Sequence, residues 1–582
     1  MMAIKRCLNS LFWLLIVLFL CPSCEREGGG EGLLPSITLD RDEPIYHVYV
    51  GEPLLLELVV ENAGDNPLYR WTMEGAVVSE EATFTFVGME PGSVYLIFEV
   101  IADHGQDEVE LRVDVMPLKS PAITLIVPPE GFSVLVGGEL AFAPEVNVVG
   151  ETTFVWEVNG ESVSAEKEYT FIQLLAGDYR VRFVASNSNG TDAIEFEVKV
   201  CTAGEMPFYW AFEQSVYSIS RGRTVFLRPY DVRNAFDAEY TWKVNGQSVE
   251  VSPVDTRYAG SEPECLYAFT PGWEGEYTVE VVMKNSYIER AHLFTVKVCP
   301  PEGSYKRVQT PGSSAKWNRV YEFMAAPGQF VNENYTATTM SEACTYAEDR
   351  LRKGEYVSLG AFGGYIVVGF DHSIGNDGGY NIQISGNSYR NSSDPGIVWV
   401  MQDENGNGLP DDTWYELKGS EYGRPSTRLD YAVTYYRPDR PGRPVAWIDN
   451  EGHTGEVEYI ATHAQDYYYP RWVRENAYTL VGRKLTSNTV MISPNNWINK
   501  EFEWGYADNF SPVDRLTEEA NKGGGANSNH FKIDHAVRYD GQPANLRYID
   551  FVKVQTGVNA RAGWIGEVST EVVGVSDYNM IK

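Results

Sequence analysis

The sequence predicts an all-β protein in which three similar sandwiches precede a larger β-sandwich. A Trp-centred segment recurs as YRWTMEG around Trp71, FVWEVNG around Trp156 and YTWKVNG around Trp242, at spacings of 85 and 86 residues. Aromatic residues make up 13% of the chain, beside 53 Gly, and this mixture favours short strands and tight turns. From about residue 303 onward the repeat disappears, and Gly, Asn and aromatic residues become more frequent.

The first 24 residues predict export. A basic pair precedes the apolar run of residues 11–20, which is shorter than a membrane span and is followed by Pro22-Ser23-Cys24. The arrangement resembles a bacterial lipoprotein signal, which implies removal of residues 1–23 and lipidation of Cys24; an ordinary signal peptide is the alternative. The acidic, Gly-rich tether of residues 24–33 resembles the export signal of Bacteroidetes surface lipoproteins. That resemblance implies a lipid-anchored protein on the extracellular face of the outer membrane.

Each copy of the repeat predicts one seven-strand antiparallel sandwich. In such a module the Trp packs between the two sheets, and the x-Asn-Gly segment closes a hairpin. A Gly-x-Tyr-like strand start follows in each copy, at Tyr95, Tyr179 and Tyr277. The modules resemble the PKD-like, immunoglobulin-type repeats of bacterial surface proteins. Their predicted boundaries are 34–117, 118–202 and 203–302.

Charge and cysteine content narrow the classes of partner. The chain holds 81 acidic and 47 basic residues, a net charge of −34 that repels a phosphate backbone, so nucleic acid is not expected as a partner. Four of the seven cysteines follow the signal segment and Cys24. Spacing alone leaves open whether they are isolated thiols or include one disulfide. They are Cys201, Cys265, Cys299 and Cys344.

Residues 303–582 predict an aromatic-rich jelly roll, a larger β-sandwich than the modules. The strings SLGAFGGYIVVGFDHSI, DPGIVWVMQD, NGNGLPDDTWYEL and GWIGEVSTEV resemble an uncharacterised family of cell-surface domains frequent in Bacteroidetes. No catalytic residues are carried over from that family. Its members often occur beside TonB-dependent receptors and corrinoid-uptake surface proteins, so the resemblance implies a nutrient ligand and a TonB-dependent outer-membrane receptor as partner.

The segment DENGNGLPDD, which starts at Asp403, follows the spacing of a calcium-binding loop. Calcium prefers hard oxygen ligands at alternate positions of such a loop, with Gly at position 6. Position 12 is Trp414 instead of the usual Glu, so Glu416 or Asp412 is needed as a replacement. The alternative is an Asn/Gly turn without metal. The predicted Ca²⁺ ligands are Asp403, Asn405, Asn407, the Leu409 carbonyl, Asp411 and Glu416.

Aromatic residues concentrate between 465 and 506 and predict a ligand-binding surface. Tyr and Trp rings present large rigid faces for sugars and flat ligands, and neighbouring Arg side chains add donors. Strand alternation would place Tyr467 and Tyr469 on one face and Tyr468 on the other. The alternative is that half of these rings belong to the core. The predicted ligand-binding residues are Tyr467, Tyr469, Arg471, Trp472, Trp497 and Trp504.

Three classes of function remain. The sequence contains no G-x-S-x-G, H-E-x-x-H or C-x-x-C motif, and no catalytic residue is assigned. The preferred hypothesis is a surface lipoprotein whose C-terminal domain binds a corrinoid or a glycan noncovalently for TonB-dependent uptake, with the repeats as a spacer. A secreted hydrolase is the second class, with carboxylates such as Glu501, Glu503 and Asp508. An adhesin or structural surface protein without a small ligand is the third.

Overall fold

The computed structural model describes most of the chain as two compact units. The described residues are 34–39, 44–64, 66–117, 120–128, 131–147, 151–251, 265–333, 337–460, 463–493, 496–516 and 527–582. The predicted signal peptide, the lipidation site Cys24 and the tether lie outside them. Unit one comprises the described residues up to 124 together with residues 143–167 and 182–195. Unit two comprises residues 125–142 and 168–181 together with the described residues from 196 onward.

The first module is a set of antiparallel strands with one parallel pair. Its five-stranded sheet has the order β2-β9-β8-β5-β6, in which β2 runs parallel to β9, while β3 pairs with β7 and β1 with β4. The strands are β1 Ser36–Thr38, β2 Ile45–Tyr49, β3 Pro53–Glu57, β4 Val59–Glu61, β5 Leu68–Met73, β6 Ala76–Ser79, β7 Thr83–Val87, β8 Gly92–Ala102 and β9 Gly105–Met116.

The second module repeats the same pairs. The parallel pair is β11 with β18, and β12 pairs antiparallel with β16, β14 with β15 and β10 with β13. The strands are β10 Ile123–Thr124, β11 Phe132–Leu135, β12 Glu139–Phe142, β13 Glu145–Val146, β14 Thr153–Val158, β15 Glu161–Ser164, β16 Tyr169–Ile172, β17 Gly177–Asn187 and β18 Gly190–Cys201.

The third module has the sheet order β20-β27-β26-β23-β24, the same as the first, with β21 paired to β25 and β19 to β22. The strands are β19 Tyr209–Ala211, β20 Val216–Ser220, β21 Val225–Leu227, β22 Asp231–Arg233, β23 Glu239–Val244, β24 Gln247–Val249, β25 Tyr267–Phe269, β26 Gly275–Lys284 and β27 Glu289–Cys299.

The repeated Trp is the core anchor of each module, as predicted. Trp71 and Trp156 are fully buried and Trp242 is 1% exposed. The hairpin turn after each Trp strand holds two residues with positive φ, as in Asn159 (50°) and Gly160 (84°), which is the type I′ geometry that Asn-Gly favours. The sequence repeat is therefore one local structure used three times.

The C-terminal domain contains a six-stranded sheet of order β28-β30-β42-β32-β33-β41, a four-stranded sheet β36-β35-β34-β37 and a three-stranded sheet β40-β31-β44. Its all-β character confirms the predicted fold class, while the jelly-roll connectivity stays a prediction. The strands are β28 Arg319–Met324, β29 Val357–Ser358, β30 Tyr365–Gly375, β31 Ile382–Gly386, β32 Gly396–Met401, β33 Trp414–Leu417, β34 Arg428–Tyr436, β35 Val445–Asp449, β36 Thr454–Val457, β37 Ala477–Lys484, β38 Thr489–Ser493, β39 Asn496–Asn499, β40 Asn527–Phe531, β41 Ala536–Val537, β42 Tyr548–Thr556, β43 Glu571–Val572 and β44 Gly574–Asp577.

One α-helix, α1 at Met340–Lys353, interrupts the strands of the C-terminal domain and was not predicted. Its local signals are clear: the Thr339 hydroxyl accepts from the backbone N–H of Glu342, and Gly354 ends the helix at φ 73°. The helix packs against the main core through its buried residues Ala343, Ala347 and Leu351. None of the described helices is long and apolar enough to span a membrane.

The structure bears on whether the four remaining cysteines are isolated thiols or include a disulfide. Cys201, Cys299 and Cys344 are free thiols, and Cys265 is buried in the core of the third module. Burial raises the pKa of Cys344 to about 11, so this thiol is a weak nucleophile.

Candidate functional site

A cleft with a volume of about 140 Å³ lies between the third module and the C-terminal domain, inside the second compact unit. One face of the six-stranded sheet contributes Trp399, Trp414 and Lys553. The third module contributes Tyr217 and Phe226 from β20 and β21. Aromatic and charged groups from two sequence-distant regions therefore meet in one concave site.

The register of the sheet places the key side chains in one row. Trp399 on β32 lies directly opposite Lys553 on β42 and, on its other side, opposite Glu416 on β33. Side chains alternate across a sheet, so these three share the face toward the cleft. The neighbouring Val398 and Val552 point to the other face and belong to the main core.

Lys553 is a buried lysine enclosed by aromatic rings. Lys553 is only 9% exposed. Its Nζ lies 4.9 Å from the ring centre of Trp414, 5.0 Å from that of Trp399 and 5.6 Å from that of Tyr365. No hydrogen bond or ion pair of this ammonium exists among the described residues. Burial lowers the pKa of Lys553. Carboxylates beyond ion-pair distance attract the ammonium and raise the pKa, but by less. The rings supply partial compensation through their negative faces.

The other buried cations of the cleft have carboxylate partners. Arg483 Nε donates to Glu416 Oε2 at 2.8 Å, and both side chains are buried. Arg228 Nη2 lies 2.8 Å from Asp430 Oδ1. In each of these pairs the carboxylate neutralises the charge of the arginine. Lys553 is therefore the buried cation of the cleft that has no counter-ion among the described residues.

Two further polar groups of the cleft lack partners. Trp399 Nε1 and Gln555 Oε1 are buried and make no hydrogen bond within the described chain. The Gln555 amide nitrogen donates to the carbonyls of Gly363 and Val481, each at 3.0 Å, which fixes the side chain. Buried polar atoms normally find a partner, so these atoms are available to a bound molecule or water.

The third module is attached to the C-terminal domain beside the cleft. Arg223 donates to the carbonyl of Ala544 at 2.9 Å and forms an ion pair of 2.9 Å with Glu302. Asn405 donates to the Ser218 hydroxyl at 3.4 Å. The third module thus supplies a wall of the cleft, and the role of the repeats as a spacer stays a prediction.

The predicted calcium loop is held by its own side chains. The Asp403 carboxylate accepts from the backbone N–H groups of Gly406 (2.8 Å) and Gly408 (3.0 Å). The Asn405 and Asn407 side-chain oxygens accept from backbone N–H groups two residues on, at 2.9 and 2.7 Å. Both amide groups donate to Asp411. The predicted ligand residues other than Glu416 thus lie in one small loop.

Glu416 does not belong to that loop. It lies in β33 and its carboxylate is held by Arg483, so its assignment as a calcium ligand is corrected. Asp412 is the residue beside the loop: its Oδ1 accepts from Asn405 at 2.8 Å. Burial and the neighbouring carboxylate of Glu404 raise the pKa of Asp412 to about 8.

The predicted aromatic surface is divided between core and partly exposed positions. Tyr469 is fully buried, and Trp472 is 6% exposed and stacks on Phe323 at 5.4 Å. These two assignments are corrected, because a ring enclosed by the core offers no face to a ligand. Residues 467–469 also lie outside any strand, so the expected alternation is wrong, and Tyr468 is buried beside Tyr469.

The remaining predicted ligand-binding residues are partly exposed. Tyr467, Trp497 and Trp504 are half-buried, and Arg471 forms an ion pair of 3.0 Å with Asp466. None of them lines the cleft. Their role in binding stays a prediction.

Sequence reasoning missed the cleft residues Lys553, Trp399 and Trp414. A local signal existed in FVKVQ, where Lys553 and Gln555 alternate with valines inside a fully buried strand. The partners of this strand are remote in sequence, so the signal did not identify which residues it would meet.

A separate cluster of carboxyl groups, two buried and one half-buried, lies elsewhere in the domain. Carboxylate oxygens of Asp394, Asp508 and Glu571 are all within 4.8 Å of one another. Asp508 accepts from the backbone N–H groups of Asn387, Ser388 and Glu571, each at 2.8 Å. Burial raises the pKa of all three, that of Asp508 to about 6. Asp508 is fully buried and is therefore not the accessible carboxylate that a hydrolase needs.

Comparisons with known proteins agree with the repeated modules. A family model described as PKD-like domain matches residues 34–102 and 120–187. No curated protein matches the chain.

Similar solved structures include the fibronectin(III)-like modules of Clostridium thermocellum CbhA, at 15% identity over 30% of this chain and 98% of that one, with a TM-score of 0.18. A titin I-band fragment, I67–I69, shares 13% identity over 45% of this chain and 98% of its own, with a TM-score of 0.15. Extracellular domains 3–5 of Drosophila OTK share 12% identity over 45% of this chain and 97% of their own, with a TM-score of 0.16. Scores this low do not establish a common fold for the whole chain.

The modules define the class of protein in coarse terms. PKD-like, immunoglobulin-type repeats indicate a surface or adhesin-like structural protein. The matched family is a domain type, and its description names no catalytic activity.

Proposed function

We propose that the chain is an outer-surface lipoprotein that captures a nutrient ligand, a corrinoid or a glycan, without covalent chemistry. The ligand binds in the cleft between the third module and the C-terminal domain. The first two modules act as a spacer from the lipid at Cys24, and a TonB-dependent receptor in the outer membrane takes up the ligand.

The observation that carries this proposal is the set of unsatisfied polar groups between aromatic rings. Trp399 Nε1 and Gln555 Oε1 are buried without hydrogen-bond partners in a cleft that Trp414 and Phe226 also line. Ligand sites combine such apolar walls with a few convergent polar groups. A molecule with hydroxyl and amide groups supplies the missing partners.

The size of the cleft limits what enters it. Its volume of about 140 Å³ is below the roughly 300–1,000 Å³ of sites that enclose a whole drug-sized ligand. One sugar ring of a glycan, or one substituent of a corrinoid, is therefore enclosed, and the rest of the ligand stays at the surface.

Calcium bound to the loop after β32 would brace the attachment of the third module. Asp403, Asn405, Asn407, Asp411 and the Leu409 carbonyl are the proposed ligands, with Asp412 in place of Glu416. The support is geometric: the Asn405 amide donates to both Asp411 and Asp412, so these two carboxylates lie close together in the loop, where a divalent cation would offset their repulsion.

Isothermal titration of the chain from residue 25 tests the proposal, with cyanocobalamin and then a panel of oligosaccharides, each with and without calcium. Saturable binding is expected. Trp414→Ala should weaken it by about fivefold, since one aromatic contact contributes roughly a kcal/mol. Trp273→Ala, at a Trp that is 77% exposed outside the cleft, is the matched control and should leave binding unchanged.

The other two classes of function have distinct outcomes in the same experiment. Cleavage products in the titrated sample would establish the hydrolase. Silence across the whole panel would favour the adhesin, a surface protein without a small ligand.

A further inference from the structure

We infer that the ligand of the cleft carries an anionic group, a carboxylate or a phosphate ester, that pairs with the ammonium of Lys553. This inference rests on the proposed function and names the chemistry that the ligand must bring.

The first argument is the contrast between Lys553 and the other buried cations. Arg483 and Arg228 each have a carboxylate oxygen at 2.8 Å, whereas the Lys553 ammonium has only ring faces at 4.9 to 5.6 Å. Lysine is almost never buried without a partner, because removing the charge from water is costly. Ring faces offset only part of that cost. The fold therefore holds a cation in place whose counter-ion is missing from the described chain.

The second argument concerns the carboxylates that attract Lys553 from a distance. Glu213 of the third module is exposed at the rim of the cleft, and Glu322 accepts a hydrogen bond of 2.9 Å from the hydroxyl of Tyr365. Neither forms an ion pair with Lys553. The protein as a whole is strongly acidic, but these carboxylates lie too far from the Lys553 ammonium to pair with it. The ammonium therefore stays open to the cleft.

The third argument is the second donor beside it. Trp399 Nε1 is buried without an acceptor, and Trp399 lies directly across the strand pair from Lys553. Directly opposed residues have Cβ atoms about 4.5–5.5 Å apart, so both donors reach one small group. A group with two or more acceptor oxygens and a negative charge satisfies both of them. A cationic ligand would be repelled by the same ammonium.

The two sources of such a group are distinguished by paired probes. Glucuronate and glucose differ by one carboxylate; cyanocobalamin and cobinamide differ by the nucleotide loop that contains the phosphate ester. We would titrate all four into the wild-type chain from residue 25, into Lys553→Met and into Lys500→Met. Lys500 is exposed in the same domain and is the matched control.

Lys553→Met is expected to weaken the anionic member of one pair at least tenfold and to leave its neutral member unchanged, while Lys500→Met behaves as wild type. The pair that responds identifies carboxylate or phosphate as the source. If every anionic probe that binds the wild-type chain also binds Lys553→Met with equal affinity, the inference is overturned and ligand capture stays intact.

A labelling measurement on the wild-type protein keeps the inference independent of the variant's folding and of the choice of organic ligand. Lys553 is acetylated with acetic anhydride, with and without inorganic phosphate, and the extent is read by peptide mass spectrometry against Lys500. Selective protection of Lys553 by phosphate supports the anion site, even if every organic probe fails and the capture proposal falls. Equal labelling of Lys553 under both conditions refutes the anion site.

Discussion

Replacing Asp394 by Asn removes one charge from the buried carboxyl cluster without changing the shape of the side chain. Asn499 Nδ2 donates to Asp394 Oδ1 at 2.8 Å, and the side-chain oxygen of an Asn at this position keeps that bond. The remaining two members, Asp508 and Glu571, are both buried. We expect Asp394→Asn to stabilise the C-terminal domain at neutral pH.

Repulsion between two of the carboxylates gives the magnitude. Two ionised carboxylates at the cluster's limit of 4.8 Å repel by about 3.5 kcal/mol at an effective dielectric constant of about 20. This is an upper value for one substitution, because protons redistribute within the cluster. A gain of about 1–3 kcal/mol at pH 7.5 follows.

The sign of the pH dependence follows from the direction of the shifts. The folded state raises the pKa of all three carboxyl groups, so it binds more protons than the unfolded chain above about pH 4. Their contribution to the free energy of unfolding therefore falls as pH rises from about 4, through about 6 for Asp508 and beyond for the other two. The benefit of Asp394→Asn should be small near pH 5 and larger near pH 7.5.

Urea unfolding near both pH values measures the change, with hydrogen exchange of the backbone amides of residues 387–388 as a local readout. These amides donate to Asp508 and report opening of the cluster itself. Asp439→Asn, at an exposed Asp of the same domain, is the control and should change stability little. A loss of stability in Asp394→Asn of equal size at both pH values would refute the reasoning, since it would mean that the fold uses the carboxylate as an anion.

Three further substitutions test the fold. Trp156→Ala should lower the free energy of unfolding by about 3–5 kcal/mol in urea titrations, whereas exposed Trp273→Ala should change it by less than about 0.5 kcal/mol. Thr339→Ala should cost about 1 kcal/mol by removing the cap of α1, and Thr339→Ser should restore most of it; equal stability of the two variants would argue against the cap. Gly364→Ala places a Cβ 1.8 Å from a backbone carbonyl oxygen and should abolish folded protein on size exclusion, while Gly574→Ala, with open space around it, should not.

The modules were predictable because their signals are local. A buried Trp, a positive-φ turn such as Asn159-Gly160 and a strand start recur three times, within about 25 residues of one another in the first two copies and about 35 in the third. The helix α1 has equally local signals in Thr339 and Gly354. It was not predicted because the strand pattern on both sides of it favoured strands. Where local chemistry specifies the structure, one sequence is sufficient.

The aromatic segment illustrates the opposite case. Alternation at residues 467–469 presumed a strand, but Pro470 follows and the segment is irregular, so Tyr468 and Tyr469 are both buried by contacts with remote parts of the core. Burial of a ring depends on what packs against it, and that information is not in its neighbours along the chain. Composition identified the region without distinguishing core rings from exposed ones.

The cleft could not be predicted for the same reason, and this explains why its residues carry functional information. Trp399, Lys553 and Glu416 become neighbours only through the register of three strands, in which Trp399 and Lys553 are 154 residues apart. Each residue alone has an ordinary interpretation as a strand position. Together they place a lysine without a counter-ion beside an unpaired indole N–H, an arrangement that costs stability in the absence of a partner. This cost, which neither local folding nor global stability explains, supports the proposal that a ligand completes the arrangement.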